Sequence, residues 1–172
     1  MIFTRIMDIK IKPTVESDVT ELCSIQKAAF LPLYEKYHDE GNPYLRGSED
    51  ITKRLNSECF RYFTIWRNYD IVGGVLYKSK GSTPFHDHLD MGHYYLQRIY
   101  IKPDLQCNGI AQIAISLCEK EFSDAECFWV DFPNDLEKNK RCYTKVGFCD
   151  TGKRLQIQPD LILACYKKDL SK

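Results

Sequence analysis

The sequence predicts one α/β domain with a mixed, mostly antiparallel sheet that helices flank. Two observations lead to this fold class. Apolar strands in the middle of the chain are joined by short turns, which makes them antiparallel neighbours. Further on, an amphipathic helix lies between two apolar strands, and a crossover of this kind makes them parallel. No repeat or linker divides the 172 residues, so we expect a single domain over residues 1–172.

The N-terminal third is predicted as a short strand followed by two helices. The strand, Asp8–Lys12, alternates apolar and charged residues. Apolar residues then recur at helical spacing as far as Tyr37, and Pro32 is expected to bend or end this helix. Helix caps are expected at hydroxyl side chains, Thr14 or Ser17 for the first helix and Ser48 for the second.

The rest of the chain is predicted as six strands and two helices. Two strands, Phe60–Trp66 and Ile71–Ser79, form a hairpin through residues 67–70. A polar loop leads to a third strand, after which the order is helix, strand, helix, strand, strand. The predicted bounds are Tyr94–Ile101, Gly109–Phe122, Ala125–Phe132, Leu136–Val146, a strand that starts at Phe148, and Leu161–Lys168.

Composition and charge narrow the class of protein. Lysine plus arginine and aspartate plus glutamate number 24 each, so the net charge is zero, whereas a nucleic-acid binder usually has a basic excess. The basic run Lys138–Arg141 is typical of a solvated helix face. Eight scattered cysteines without a C-x-x-C pair indicate free thiols and a cytoplasmic protein. No apolar stretch reaches membrane-spanning length, so we expect neither a membrane nor a nucleic-acid partner.

Two weaker features would point to other chemistry. The segment His86–His88, with His93 nearby, would bind a metal only if its loop folded back, and we expect no metal site. Cys107 or Cys142 could act as a nucleophile, but neither has a histidine beside it in sequence to lower the pKa of its thiol.

A loop with a single glycine separates the third long strand from the helix after it. This loop, Gln106–Ala111, combines a helix N-terminus with a glycine that lets the backbone approach a ligand closely. Unpaired backbone N–H groups at such a point bind phosphate without side-chain charge. Taken alone, the loop fits a plain connection better than a ligand site.

Two further motifs accompany the loop. Gln106, Gly109 and Ala111 fit the pattern Q/R-x-x-G-x-G/A directly after the strand sequence RIYIKP, and CYTKVGF follows about thirty residues later. In this order and spacing, the motifs resemble the GNAT superfamily of acetyl-CoA-dependent N-acetyltransferases. The resemblance covers nearly the whole chain, since VESDVTELCSIQKAAF looks like the first helix of that family and NYDIVGGVLY like its second hairpin.

The resemblance implies acetyl-CoA as cosubstrate and assigns roles to residues. The loop would hold the CoA pyrophosphate, the backbone of the preceding strand would pair with the pantetheine arm, and an asparagine before or within the last helix would add a polar contact. The implied cofactor-binding residues are Ile99, Tyr100, Ile101, Gln106, Cys107, Asn108, Gly109, Ile110, Ala111, Asn134 and Asn139. Tyr143 matches the family tyrosine near the thioester sulfur and is the implied general acid.

The resemblance leaves the general base open. Gln97 occupies the strand region where many relatives carry an acidic base. Without a base, the chain could instead be a CoA-binding sensor or regulatory module that no longer catalyses. Acyl transfer requires an unprotonated amine. The side chains that could take its proton, directly or through water, are Glu35, His38, Asp39 and His93.

The expected acceptor is a primary amine on a small molecule, a peptide or a protein. The segment Leu33–Arg46 links the first two helices, and in this family that region covers the cleft opposite the CoA. Its acids would attract an amine and its tyrosines would cover the carbon skeleton, so we expect Tyr34, Tyr37 and Asp39 to bind the acceptor. A solvated connection whose tyrosines pack on the sheet is nearly as good an interpretation. The oligomeric state stays open, with a homodimer as one option.

Overall fold

A computed structural model describes residues 8–170, which form seven strands, four α-helices and short 3-10 turns. The elements are β1 Ile9–Pro13, α1 Val19–Tyr37, α2 Ser48–Leu55, β2 Phe60–Arg67, β3 Asp70–Lys78, β4 His93–Ile101, α3 Ile110–Glu119, β5 Cys127–Pro133, α4 Glu137–Lys145, β6 Cys149–Gln158 and β7 Leu161–Asp169. Every predicted strand and helix is present, with ends that differ by a few residues. The prediction of an α/β fold is confirmed.

The sheet is mixed and has the order β1-β2-β3-β4-β5-β7-β6. β1 to β4 pair antiparallel, as the short turns predicted. β4 and β5, which α3 connects, pair parallel. β7 then pairs antiparallel with both β5 and β6. One apolar cluster packs α1 and α2 against one face of the sheet, and a larger cluster packs α3 and α4 against the other.

The first helix differs from the prediction at Pro32 and at its start. Pro32 was expected to bend or end α1; it lies inside the helix and so does not end it. The carbonyl group that loses its partner there belongs to Ala28, which is exposed and can bond to water. The expected caps are also wrong. Thr14 bonds to Thr64, a 3-10 turn precedes α1, and Ser48 is the first residue of α2 rather than its cap.

β4 and β5 separate part-way along their length. Their ladder has four pairs and ends where Leu96 meets Val130. Beyond that point β4 continues to Ile101 against β3, while β5 continues to Pro133 against β7. The sheet therefore has an opening between these two strands, bounded by backbone groups that no neighbouring strand pairs.

Two findings concern the expectations about membrane-spanning segments and cysteine thiols. No helix in the part of the chain that the structure describes is long and apolar enough to cross a membrane. All eight cysteines are unpaired thiols, and Cys107 and Cys149 are the exposed ones.

Candidate active site

The loop before α3 has the geometry of an anion-binding turn. Gly109 precedes the helix with φ at 80°, a left-handed conformation that favours glycine, and it offers no side chain to cap the helix. The N–H of Ile113 donates to the Gly109 carbonyl, so the three N–H groups before it have no partner within the helix. A Cβ added to Gly109 would meet nothing within 4 Å. The helix N-terminus therefore faces open space.

Side-chain hydrogen bonds hold the loop in shape. Gln106 Nε2 donates to the Ile101 carbonyl at 3.0 Å, and Asn108 Nδ2 donates to the Leu105 and Gln106 carbonyls. Lys138, on α4, donates to Gln106 Oε1 at 2.9 Å. The first residue of the basic run thus brings a positive charge to the loop, which the sequence analysis missed because it treated that run as a solvated face.

The strand before the loop presents backbone groups to the opening. The N–H of Lys102 donates to the Val72 carbonyl of β3 at 2.8 Å. Backbone groups alternate in direction along a strand, so those of Tyr100 also face β3, and those of Ile99 and Ile101 face the opening. Tyr100 is buried, and its hydroxyl bonds to that of Tyr62 at 2.6 Å.

The other residues predicted to bind the cofactor surround the same region. Ile110 is buried, Ala111 is half-buried and Cys107 is exposed in a left-handed conformation. Asn134, after β5, accepts a hydrogen bond from Arg154 Nε at 2.9 Å and so is tied to β6. Asn139 is half-buried on α4.

Tyr143 is buried on α4 beside the opening. Its ring lies 5.2 Å from that of Phe132 on β5 and 5.9 Å from that of Phe148. Burial raises the pKa of Tyr143 well above its ordinary value, and the nearby Cys142 and Asp131 raise it further. The hydroxyl is therefore protonated at neutral pH, as a general acid must be.

The opening contains a carboxylate that the sequence analysis missed. Asp131 follows Val130, the last residue of β5 that pairs with β4. Burial raises the pKa of Asp131 to about 6, and the Tyr95 hydroxyl on β4 opposes this rise by favouring the charged form. A signal was present in the sequence, since Asp131 is the lone charged residue in the otherwise apolar run CFWVDFP.

The four candidate bases named from the sequence lie elsewhere or are engaged. Glu35 and His38 are exposed, and Asp39 accepts a hydrogen bond from the N–H of Gly41 at 3.1 Å. His93 Nδ1 accepts a hydrogen bond from Trp129 Nε1 at 3.1 Å, which requires that nitrogen to be unprotonated. Asp131 is the carboxylate whose charge raises the pKa of Tyr143.

The region expected to bind the acceptor is tied to two other parts of the chain. The Tyr37 hydroxyl donates to the carboxylate of Asp135, in the loop after β5, and Lys36 forms an ion pair with the same carboxylate at 2.8 Å. Gln158 Nε2, at the end of β6, donates to the Tyr37 carbonyl at 2.6 Å. The end of α1 therefore spans one side of the opening.

The two remaining residues of this region have local contacts. Tyr34 stacks on Tyr44 with ring centroids 5.1 Å apart and meets the His38 ring edge-on at 5.5 Å. Asp39 shapes the turn that follows α1 through its bond to Gly41. Tyr34 and Tyr44 thus pack on each other rather than on the sheet.

The structure offers little support for a metal site or for a cysteine nucleophile. Among residues 8–170 there is no group of three or more side chains that could hold a metal ion. Burial raises the pKa of the Cys142 thiol, which disfavours the thiolate that a nucleophile requires.

The family assignment follows from a comparison with known families. The model of the Acetyltransferase (GNAT) family matches residues 20–148, which is most of the chain. The chain belongs to the GNAT acetyltransferase family. The predicted resemblance is confirmed, and the protein is an acyltransferase by family.

Solved structures share the fold of this GNAT acetyltransferase. PaiA N-acetyltransferase from Thermoplasma acidophilum, in complex with coenzyme A, has a TM-score of 0.71 at 14% identity and covers 95% of this chain and 100% of its own. The ribosomal-protein-S18-alanine N-acetyltransferase of Escherichia coli has a TM-score of 0.69 at 12% identity, with 95% of each chain covered. No curated protein matches the sequence at a significant level.

A third solved structure has a different acceptor in its name. It is a chimera of the spermidine N-acetyltransferase SpeG from Vibrio cholerae and hSSAT, with a TM-score of 0.70 at 13% identity. It covers 94% of this chain and 95% of its own. The two named acceptors, a protein alanine and a polyamine, differ so much that the shared fold leaves the acceptor of this chain open.

Proposed function

We propose that this GNAT acetyltransferase moves the acetyl group of acetyl-CoA directly to a primary amine. The observation that carries the proposal is the opening between β4 and β5, which Asp131 and Tyr143 flank and which leads to the uncapped start of α3. The CoA complex of PaiA and the names of the S18-alanine and spermidine enzymes support the same reaction class. The free thiols support a cytoplasmic location.

The loop and the strand before it would hold the cosubstrate. The unpaired N–H groups at the start of α3 and the positive end of its dipole would bind the pyrophosphate, with Lys138 supplying a cation. The open space over Gly109 gives the phosphate oxygens room to approach the backbone. The backbone groups of Ile99 and Ile101 would pair with the amides of the pantetheine arm.

Acetyl-CoA supplies a thioester, and Asp131 and Tyr143 would handle the two protons of the transfer. The unprotonated amine forms a bond to the thioester carbonyl carbon, and Asp131 takes the one proton that the nitrogen loses as the amide forms. Tyr143 donates its hydroxyl proton to the sulfur as the carbon–sulfur bond breaks. The products are an amide and free CoA, and no covalent intermediate with the enzyme is needed.

The environments of these two groups suit opposite roles. The pKa of Asp131 is about 6, so most of the carboxylate is charged at neutral pH. This pKa is also close to the operating pH, which is where a general base is most effective. Tyr143 stays protonated because burial disfavours its phenolate. If Asp131 acts as the base, the missing acid on β4 no longer favours a sensor that does not catalyse.

The test is the release of free CoA from acetyl-CoA in the presence of a panel of amines, with mass spectrometry of the acetylated product. We expect at least one amine to release CoA and to gain one acetyl group. Acetyl-CoA that binds by calorimetry but is never consumed, with every class of amine in the panel, would favour the sensor.

A further inference from the structure

A cationic cluster lies beside the opening, on the face of the sheet that α1 and α2 cover. Arg98 on β4 and Arg54 on α2 both bind the Asp50 carboxylate, at 2.8 and 3.0 Å. Arg54 also lies over the Phe60 ring at 4.9 Å, and Lys78 lies near the same ring at 5.7 Å. We call Asp50, Arg54, Lys78 and Arg98 the cationic cluster.

The cluster has more positive than negative charge. Arg54 and Arg98 share the one carboxylate of Asp50, Lys78 donates to the Ser82 carbonyl at 2.6 Å, and within residues 8–170 no other carboxylate forms an ion pair with these three cations. Arg98 is 6% exposed, and the side chains of Asp50 and Arg54 are about one-fifth exposed, so the charges are poorly screened by water. A buried excess of positive charge is costly unless an anion compensates for it. The cluster is therefore prepared for an anionic group.

Gln97 connects the cluster to the reactive groups. Arg54 Nη1 donates to Gln97 Oε1 at 3.0 Å. The ladder of β4 and β5 ends at Leu96 and Val130, so the next residues on the two strands, Gln97 and Asp131, flank the point of separation. A molecule whose amine reaches Asp131 consequently has Gln97, and Arg54 bonded to it, on its β4 side.

We infer that the acceptor carries a carboxylate as well as an amine, which makes it an amino acid. Arg54 and Lys78, which are less buried than Arg98, bind the carboxylate, and Asp131 takes the proton of the amine. Arg98 stays bonded to Asp50, so the ion pair between β4 and α2 is kept when the ligand leaves. This inference rests on the proposed function, and it replaces the expectation that acids of Leu33–Arg46 select a purely cationic amine.

The charge of the acceptor can be varied while its shape is kept. Glycine, β-alanine and 4-aminobutyrate are compared as acceptors with glycinamide, β-alaninamide and 4-aminobutanamide, and with spermidine. We expect at least one amino acid to exceed its own amide by about tenfold or more in kcat/KM, because the amide lacks the charge that guanidinium groups bind. Equal use of acid and amide throughout, or a preference for spermidine, would overturn the inference.

Variants then test the cluster itself. Arg54→Gln leaves the Asp50–Arg98 ion pair intact and should raise KM for the preferred amino acid about tenfold while leaving KM for its amide within about twofold. Lys53→Gln removes an exposed charge from the same helix and should change neither constant. A merely structural role of Arg54 would raise both KM values together, and that result would contradict the inference. Lys78→Gln repeats the test if Arg54→Gln does not fold.

A binding measurement separates this inference from the proposed function. N-acetyl-β-alanine has the carboxylate but no amine, so its binding requires no catalysis. Calorimetry should detect it with the wild type and find it about tenfold weaker with Arg54→Gln. If no amine releases CoA but this binding persists, the proposed function fails and the carboxylate site stands. If N-acetyl-β-alanine does not bind but amines without a carboxylate are acetylated, the proposed function stands and the carboxylate site is rejected.

Discussion

The Tyr95 hydroxyl on β4 lowers the pKa of the Asp131 carboxyl on β5, at the point where the two strands separate. Burial alone would hold the carboxyl in its neutral form, and the hydroxyl shifts the balance back toward the charge. The outcome is a pKa of about 6, well above the ordinary 3.8. This pair therefore sets the pH range in which the opening contains a base.

The raised pKa of Asp131 predicts a cost in stability. The folded state favours the protonated form, so the stabilising contribution is present below about pH 4 and is lost as the pH rises through about 6. Asp131→Asn should therefore increase the free energy of unfolding by about 1–3 kcal/mol at pH 7 and change it little at pH 4. Urea unfolding at the two pH values measures both quantities.

Asp135 gives a control of opposite sign. Hydrogen bonds from Lys36 and Tyr37 lower its pKa, so its contribution is present above its ordinary pKa and is lost as the pH falls. Asp135→Asn should reduce stability at pH 7. An Asp131→Asn variant that is less stable than the wild type at pH 7 would show that the carboxylate is not destabilised in the folded protein.

Gly109→Val should abolish CoA binding. The new side chain would extend into the open space at the start of α3, and valine is strained at a φ of 80°. Gly152→Val is the matched control, because Gly152 has a φ of 81° and equally open surroundings but lies in β6. Calorimetry with CoA should find loss of binding for the first variant alone. If Gly109→Val binds CoA as tightly as Gly152→Val, the loop is an ordinary connection and not a phosphate site.

Tyr143→Phe should lower kcat about 10²–10⁴-fold and leave the affinity for acetyl-CoA nearly unchanged, because it deletes a proton donor and keeps the packing. Tyr77→Phe removes a hydroxyl that is also buried but has no hydrogen-bond partner. That control should keep wild-type turnover. Wild-type kcat in Tyr143→Phe, under conditions where chemistry limits the rate, would exclude Tyr143 as the acid.

Lys138→Gln should weaken CoA binding about three- to tenfold, since an exposed cation near a phosphate contributes modestly. The loss should shrink as salt is added, because salt screens the attraction. Lys140, two residues further along α4, faces Asp150 instead, so Lys140→Gln should leave the affinity unchanged. If the wild type, Lys138→Gln and Lys140→Gln bind CoA with equal affinity at every salt concentration, Lys138 does not contact the phosphate.

The fold was predictable from the sequence because each element carries its own pattern. Alternating residues in β1, the helical spacing of α1 and the turn at residues 67–70 are local signals, and short connections fix which strands are neighbours. Pro32 was misjudged because its cost depends on whether the carbonyl group of the preceding turn reaches water, which only the structure reveals.

The site was predictable only where a motif carried it. The loop around Gly109 and the position of Tyr143 follow from the family pattern. Asp131 was missed because its raised pKa comes from burial in the folded protein, and because Tyr95, whose hydroxyl opposes that rise, is 36 residues away in the chain. The contacts among Asp50, Arg54 and Arg98 likewise join residues up to 48 positions apart, and nothing in their local sequence marks them.

The assignment of Asp131 as the general base is best checked by the pH dependence of kcat/KM in the wild type and in Asp131→Asn. With acetyl-CoA saturating, the wild-type rate should fall below about pH 6 as Asp131 becomes protonated. Asp131→Asn should lose this acidic limb and about 10²–10⁴-fold in rate, while its affinity for CoA stays at the wild-type value. If the acidic limb persists unchanged in Asp131→Asn and the rate stays near that of the wild type, Asp131 is not the general base.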